Sequence, residues 1–416
     1  MKEEYIMSNL EQTMEKYAEL AVKVGVNVQP GQTLIVNADI GAAQYVRLVA
    51  KIAYEAGAKL VQVEWSDELV TRIRYDVAPD ESFEYFPTWK AEMMEKAYEE
   101  GAALLAITSL NPDLLKGVDS QKIANLQKAA GEATKKSRKY TMSDKVSWSI
   151  VAVPSKGWAA KVFPELEEKE QEEKLWEAIF HATRANLEDP VKAWNDHKTK
   201  LSQKVDFLNG HKFKALHYQA EGTDLTIELP EKHEWIGPES INEKGHTFIA
   251  NMPTEEVFTT PLKTGVNGTV RSSKPLNYGG NLIENFTLTF ENGRIVGIEA
   301  EEGYETLQKL VETDEGSHYL GEVALVPHDS PISNTNLIFY NTLFDENASH
   351  HLAIGNAYAF ALEGGKEMSE EELEAAGANS SITHVDFMIG TKEMDIDGIT
   401  KDGERVPLFR NGNWAE

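Results

Sequence analysis

Residues 9–24 (NLEQTMEKYAELAVKV) repeat apolar side chains at helical spacing on a background rich in Glu, Lys and Ala, and they predict a helix. Pro30-Gly31 then makes a turn into residues 33–36 (TLIV), a short β-branched run that reads as a buried strand. The alternation continues. Residues 42–56 are helical in pattern and stop at Gly57, a natural C-cap, and residues 59–65 (KLVQVEW) alternate as a strand does. A helical stretch over 91–100 runs up to Gly101, an apolar run follows over 103–108, and 147–153 is one more strand in the series. Strand, helix and strand at this spacing predict an α/β first half, a mostly parallel sheet with flanking helices.

The acidic run 165–174 (ELEEKEQEEK) leads into a helix carrying Trp176, Ile179 and Phe180, where negative charge suits the helix start. A further helix over 189–208 connects the halves. Beyond it the pattern changes to strands over 212–218, 224–229, 285–290 and 294–300, with Glu291-Asn292-Gly293 as a hairpin turn. The second half is therefore expected to be α+β, β-rich and antiparallel. A chain of 416 residues exceeds the roughly 250–300 at which one core stops growing. Two domains are expected, an α/β domain over 1–205 and a β-rich one over 206–416.

Charge narrows the function. Asp and Glu number 68 against 41 Lys and Arg, a formal charge of -27. Such a surface repels phosphate backbones, so nucleic acid is not an expected partner, while cations and peptide ammonium groups are drawn in unspecifically. The same charge serves solubility. With no cysteine, a disulfide scaffold, a zinc knuckle and a thiol nucleophile are excluded. The first residues (MKEEY) lack the basic-then-apolar layout of a signal peptide, and no stretch approaches the roughly 20 apolar residues that span a bilayer. No membrane association is expected, and the setting expected is the cytoplasm.

Familiar signatures are absent: no phosphate loop ending in Gly-Lys-Ser/Thr, no Gly-x-Gly-x-x-Gly, no Gly-x-Ser-x-Gly, no His-Glu-x-x-His. What remains is polar residues in apolar settings. In residues 383–389 (THVDFMI) a strand puts His384 and Asp386 on one face, about 7 Å apart. Both can reach one metal centre or two adjacent ones; alone, the segment equally fits a half-exposed edge strand. Glu322 is embedded in an apolar strand (GEVALVP), where a buried carboxylate is costly unless paired or metal-bound. An exposed Glu at the strand start fits that segment as well. His350 and His351 open a long uncharged run to Tyr358, seven residues on from His351, and twin carboxylates Glu255 and Glu256 follow Pro253. Read singly, these fit a hydrogen-bonded core histidine and a solvated turn.

Together the pieces are specific. Residues 252–258 (MPTEEVF), 264–268 (TGVNG), 321–323 (GEV), the segment around His351, 384–386 (HVD) and 409–412 (FRNG) come in order, after 154–158 (PSKGW) and 162–164 (VFP) in the first half. Over essentially its whole length the chain resembles the AmpS, AmpT and PepS group of bacterial metalloaminopeptidases. The resemblance implies a dinuclear site in the second domain with Glu256, Glu322, His351, Tyr358, His384 and Asp386 as ligands; of the adjacent histidines it selects His351. Oxygen and nitrogen donors suit two divalent ions, Zn²⁺, Co²⁺ or Mn²⁺. Three carboxylates and a hydroxide balance their charge while Tyr358 stays protonated. Ions roughly 3.5–4 Å apart can share a carboxylate, for which mid-strand Glu322 is the candidate. One ion would help hold the substrate ammonium and the other would polarise the scissile carbonyl. Glu255 is a candidate general base, although a regular strand turns it away from Glu256, and Tyr358 can either bind metal or donate to the oxyanion. Short peptides with a free N-terminus and a homodimeric particle are implied as well. The competing readings are another dinuclear hydrolase, such as a phosphoesterase, and a small-molecule binding protein with a structural metal.

Overall fold

Strands β1 (Thr33–Asp39), β2 (Leu60–Ser66), β3 (Ala103–Thr108) and β4 (Trp148–Ala152) lie parallel in the order β2-β1-β3-β4. Leu34, Ile35 and Val36 of central β1 are all buried, the continuous run expected of a strand covered on both faces. Helix α1 (Lys2–Leu20) precedes the sheet. Parallel strands need crossovers: α2 (Ala43–Glu55) joins β1 to β2, α3 (Glu68–Val77) and α4 (Thr88–Glu99) join β2 to β3, and α5 (Ser120–Met142) joins β3 to β4. Helices α6 (Lys156–Val162), α7 (Glu168–Ala182) and α8 (Pro190–His211) follow the last of these strands. The computed structural model describes residues 2–109, 111–278 and 281–415. They divide into two units, residues 1–197 with 239–253, and residues 198–238 with 254–416.

In the second unit β5 (Ala215–Ala220) and β6 (Thr223–Glu228) form a hairpin. The chain then contributes the short ribbon β7 (Ser240–Ile241) and β8 (Thr247–Phe248) to the first unit. It returns through β9 (Val257–Thr259), β10 (Val266–Arg271), the ribbon β11 (Leu276–Tyr278) and β12 (Asn281–Ile283), β13 (Thr287–Glu291) and β14 (Arg294–Glu299). After β15 (Leu320–Leu325), β16 (His351–Gly355) and β17 (His384–Met388) come β18 (Asp395–Ile399), β19 (Arg405–Arg410) and β20 (Asn413–Trp414). One antiparallel sheet runs β14-β13-β10-β6-β5-β18-β19-β20, and a second runs β17-β16-β15-β9. Asn292 and Gly293 hold positive φ, as the β13–β14 hairpin turn requires. Buried Leu216, Ile227, Phe286, Leu320, Leu352 and Phe387 belong to one core that backs both sheets. The fold is the α/β plus β-rich α+β class that the periodicity predicts.

Candidate active site

The second sheet explains how residues far apart in sequence meet. Ala353 of β16 lies opposite Glu322 of β15 on one side and Asp386 of β17 on the other, so all three share a face. His351 and His384 lie two residues before Ala353 and Asp386 and therefore join that face. Glu256 enters just before β9, which pairs with β15. Ala353, at the centre, is small and leaves room above it. All six residues of β15 are buried, Glu322 among them. Phe387, on the opposite face of β17, is buried against Phe286.

Two donor groups result, Glu256–Glu322–His351 and Glu322–His384–Asp386, with the ligand atoms of each within 4.8 Å of one another. Glu322 belongs to both. Its Oε1 lies 3.5 Å from His351 Nε2 and its Oε2 lies 3.6 Å from His384 Nε2. His351 Nε2 is 3.0 Å from Glu256 Oε2, and His384 Nε2 is 3.4 Å from Asp386 Oδ1. The far side of each ring is held by backbone: His351 Nδ1 sits 3.2 Å from the Ser349 carbonyl and His384 Nδ1 2.7 Å from that of Asn356. This leaves both Nε2 atoms aimed at the carboxylates, the arrangement in which a metal-binding imidazole is oriented by its other nitrogen. Tyr358 follows the end of β16, with its ring 4.8 Å from that of His384.

The electrostatics show a shortage of positive charge. Burial pushes Glu322 up, as do Asp386 and Glu256, against the pull of His351 and His384. Burial would lower both histidines, but the surrounding carboxylates overcome it, so His351 is raised well above its usual value and His384 to about 9. Asp386 is held low despite burial by the two imidazoles. Burial, reinforced by Glu322 and Asp386, drives the Tyr358 phenol far up, so it stays protonated.

A family model described as thermophilic metalloprotease (M29) matches residues 10–414. The chain belongs to that family. Among similar proteins, Aminopeptidase AmpS of Bacillus subtilis (strain 168) is 62% identical over 98% of this chain and 100% of its own length. Aminopeptidase T of Thermus thermophilus is 46% identical over 98% and 100%. A solved structure, wild-type AmpT from Thermus thermophilus, superposes with a TM-score of 0.92 at 45% identity, covering 97% of this chain and 99% of that one.

The donors of this M29 metallopeptidase fit a divalent cation. Glu256 Oε2 and Asp386 Oδ1 are buried and, among the described residues, accept no hydrogen bond; their short distances to imidazole nitrogens lack a hydrogen bond's alignment. Buried oxygens left in that state are costly, and a cation satisfies them. The set is oxygen and nitrogen only, which suits a divalent cation and not a soft thiophilic ion. Glu255 is buried but belongs to neither donor group, and its backbone N–H donates to Asn347 Oδ1 at 2.8 Å. His350 faces elsewhere: its Nδ1 accepts the Val326 N–H at 3.0 Å, its ring meets Phe409 edge-on, and burial lowers its pKa to about 3.

Glu346, which no motif in the sequence singles out, lies in the same field in this metallopeptidase. Burial, then Asp386 and Glu256, push its carboxyl well above the usual range. The signal for it was local: Glu346 is the carboxylate opening the uncharged run that contains both histidines. Asn347 beside it ties the start of the His351 segment to the Glu255–Glu256 backbone.

Proposed function

We propose that this M29 metalloaminopeptidase removes N-terminal amino acids from short peptides, using two divalent ions held by Glu256, Glu322 and His351 on one side and by Glu322, His384 and Asp386 on the other. The observation that carries this reading is Glu322, whose two carboxylate oxygens face different donor groups. When bound, such ions polarise the scissile carbonyl and acidify the attacking water.

The remaining roles fall to the chain's own residues. Glu346, whose carboxyl is pushed up by burial, Asp386 and Glu256, takes the proton from the attacking water and passes it to the leaving amine. This role goes to Glu346 and not to Glu255 because Asp386, Glu256, His351 and Glu322 all bear on the Glu346 carboxyl, while the Glu255 backbone is tied to Asn347. Tyr358, kept protonated beside His384, donates a hydrogen bond to the developing oxyanion. The surplus of carboxylates receives the substrate's α-ammonium, which restricts cleavage to the first residue. Similar proteins are aminopeptidases, which favours a peptide substrate over a phosphate ester.

The same reading makes the protein a cytoplasmic homodimer. For the dimer the support is an apolar face on α3, where Leu69, Val70, Ile73 and Val77 are 67%, 62%, 57% and 75% exposed. For the cytoplasm it is the acidic, cysteine-free composition. Among the described residues no helix is long and apolar enough to cross a membrane.

The experiment is hydrolysis of an amino-acyl chromogenic amide before and after chelation, with Zn²⁺, Co²⁺ or Mn²⁺ restored and bound metal counted. Activity is expected to vanish on chelation and return with about two ions per chain. Turnover that survives chelation would count against the proposal, as would saturation at a single ion.

A further inference from the structure

The carboxyl ends of β1, β2 and β3 open onto a cavity of about 580 Å³ inside the first unit. Its volume is in the range of roughly 300–1,000 Å³ typical of small-molecule sites. Topology accounts for its place. In the order β2-β1-β3-β4 the strand sequence reverses between β1 and β3, and open parallel sheets bind ligands in the crevice at such a reversal.

The wall combines both signs of charge. Asp39 ends β1, Glu64 lies in β2, Glu68 opens α3 and Thr108 ends β3, while α4 and α5 contribute Lys90 and Arg138. Asp39 is committed to structure: Oδ1 accepts the Gly41 N–H at 2.8 Å and Oδ2 the Glu68 N–H at 3.0 Å. That second bond fixes the backbone of Glu68. Glu68 Oε2 and Thr108 Oγ1 are buried and have no hydrogen-bond partner among the described residues. Burial, with Asp39 and Asp67 close by, raises the Glu68 carboxyl. Neither the Lys90 ammonium nor the Arg138 guanidinium has an ion-pair partner among the described residues. Phe86, Met94 and Leu104 add apolar surface to the same wall.

These features select a ligand class. A phosphate would meet Asp39, Glu64 and Glu68, and the N-terminus of α3 is already capped by Asp67, which accepts from Leu69 and Val70. A molecule with an ammonium, a carboxylate and an apolar body meets complementary groups throughout. We propose that this cavity is a second binding site of the enzyme, for a zwitterionic amino acid or dipeptide with an apolar side chain. Its ammonium is held by Glu68 and Thr108, and its carboxylate by Arg138 and Lys90. The site lies in the first unit and does not depend on the catalytic reading of the second.

The test is calorimetric titration of the chelated full-length chain, in which metal-dependent turnover is off. L-phenylalanine and L-phenylalanyl-L-alanine are titrated in separate arms. Binding of one zwitterion per chain is expected, weakened about tenfold or more by Glu68→Gln and by Arg138→Met and unchanged by Glu322→Gln. Phenethylamine, which lacks the carboxylate, and 3-phenylpropionate, which lacks the ammonium, should each bind about tenfold or more weakly than L-phenylalanine. This analogue series needs no variant, so it decides the matter even where a substitution unfolds the chain. The proposal is overturned by absence of binding to the wild type, by affinity unchanged in both cavity variants, by loss of binding in Glu322→Gln, or by inorganic phosphate binding more tightly than either zwitterion.

Discussion

Glu322 and Glu346 are both carboxylates in the field of His351, and their surroundings assign them different work. Glu322 faces both donor groups, so Glu322→Gln should lower metal content and turnover together while the circular dichroism stays that of the wild type. Unchanged metal stoichiometry would remove it from the ligand set. Glu346 is outside both groups yet feels the same charges. Glu346→Gln is expected to keep its metal and lose activity by about 10²–10⁴-fold, the usual size of a general acid–base contribution. Metal lost in proportion to activity would make Glu346 a ligand instead. A different histidine reports on pH. His233 is held neutral by burial, its pKa lowered from 6.5 to about 4, with Nδ1 2.7 Å from the Pro230 carbonyl. Because its folded pKa lies below the unfolded one, the unfolded chain binds the extra proton, and stability is lost as pH falls from 6.5 toward about 4. Thermal midpoints of wild type and His233→Gln across that window should diverge, with the variant flatter. Parallel curves would assign the acid sensitivity to other groups.

Strand pairing converts these residues into a site at the level of the element. Ala353 lies between Glu322 and Asp386 across two ladders, and the space above its methyl group is where the donors converge. Ala353→Leu adds a branched side chain to that space. It is expected to reduce bound metal and activity together while costing about 1–3 kcal/mol of stability through overpacking. Metal retained at the wild-type level would place the donors' point of convergence elsewhere. The register between β15 and β16 shifts between Leu320 and Glu322, and Gly321 sits at that shift. A Cβ there would come within 2.1 Å of the Asn356 carbonyl oxygen, so close approach of the two strands depends on glycine. The bulge sets which way the next residue, Glu322, points.

The whole molecule carries a formal charge of -27, and like charges repel in the compact state. Raising ionic strength from about 0.01 to about 0.15 M shortens the screening length from about 30 to about 8 Å. The thermal midpoint of the chelated chain should rise over that range, read by calorimetry at fixed pH. A midpoint that falls with salt would mean that attractive pairs, such as Arg410–Asp397 or Lys51–Glu15, outweigh the general repulsion. The division into two units belongs to this scale too. Residues 239–253 leave the second unit in sequence and join the first in space, pairing at Ile150 and Asn251.

From the linear chain the alternation of helices and buried strands, the change to antiparallel hairpins and the Asn292-Gly293 turn were legible, because apolar period and turn chemistry act over a few residues. Helix α5 is hard to read from the chain, since Lys, Gln, Ser and Thr make up much of its 23 residues and leave a faint apolar stripe. Glu256, Glu322, His351, Tyr358, His384 and Asp386 were legible as one set through the family resemblance, while periodicity alone gave no reason for them to meet. Their convergence, the turning of His350 toward Phe409 and the presence of Glu346 in the same field were decided by tertiary structure. The reason is physical: side-chain direction and charge shifts depend on ladder register and burial, and these arise only when strands distant in the chain lie side by side.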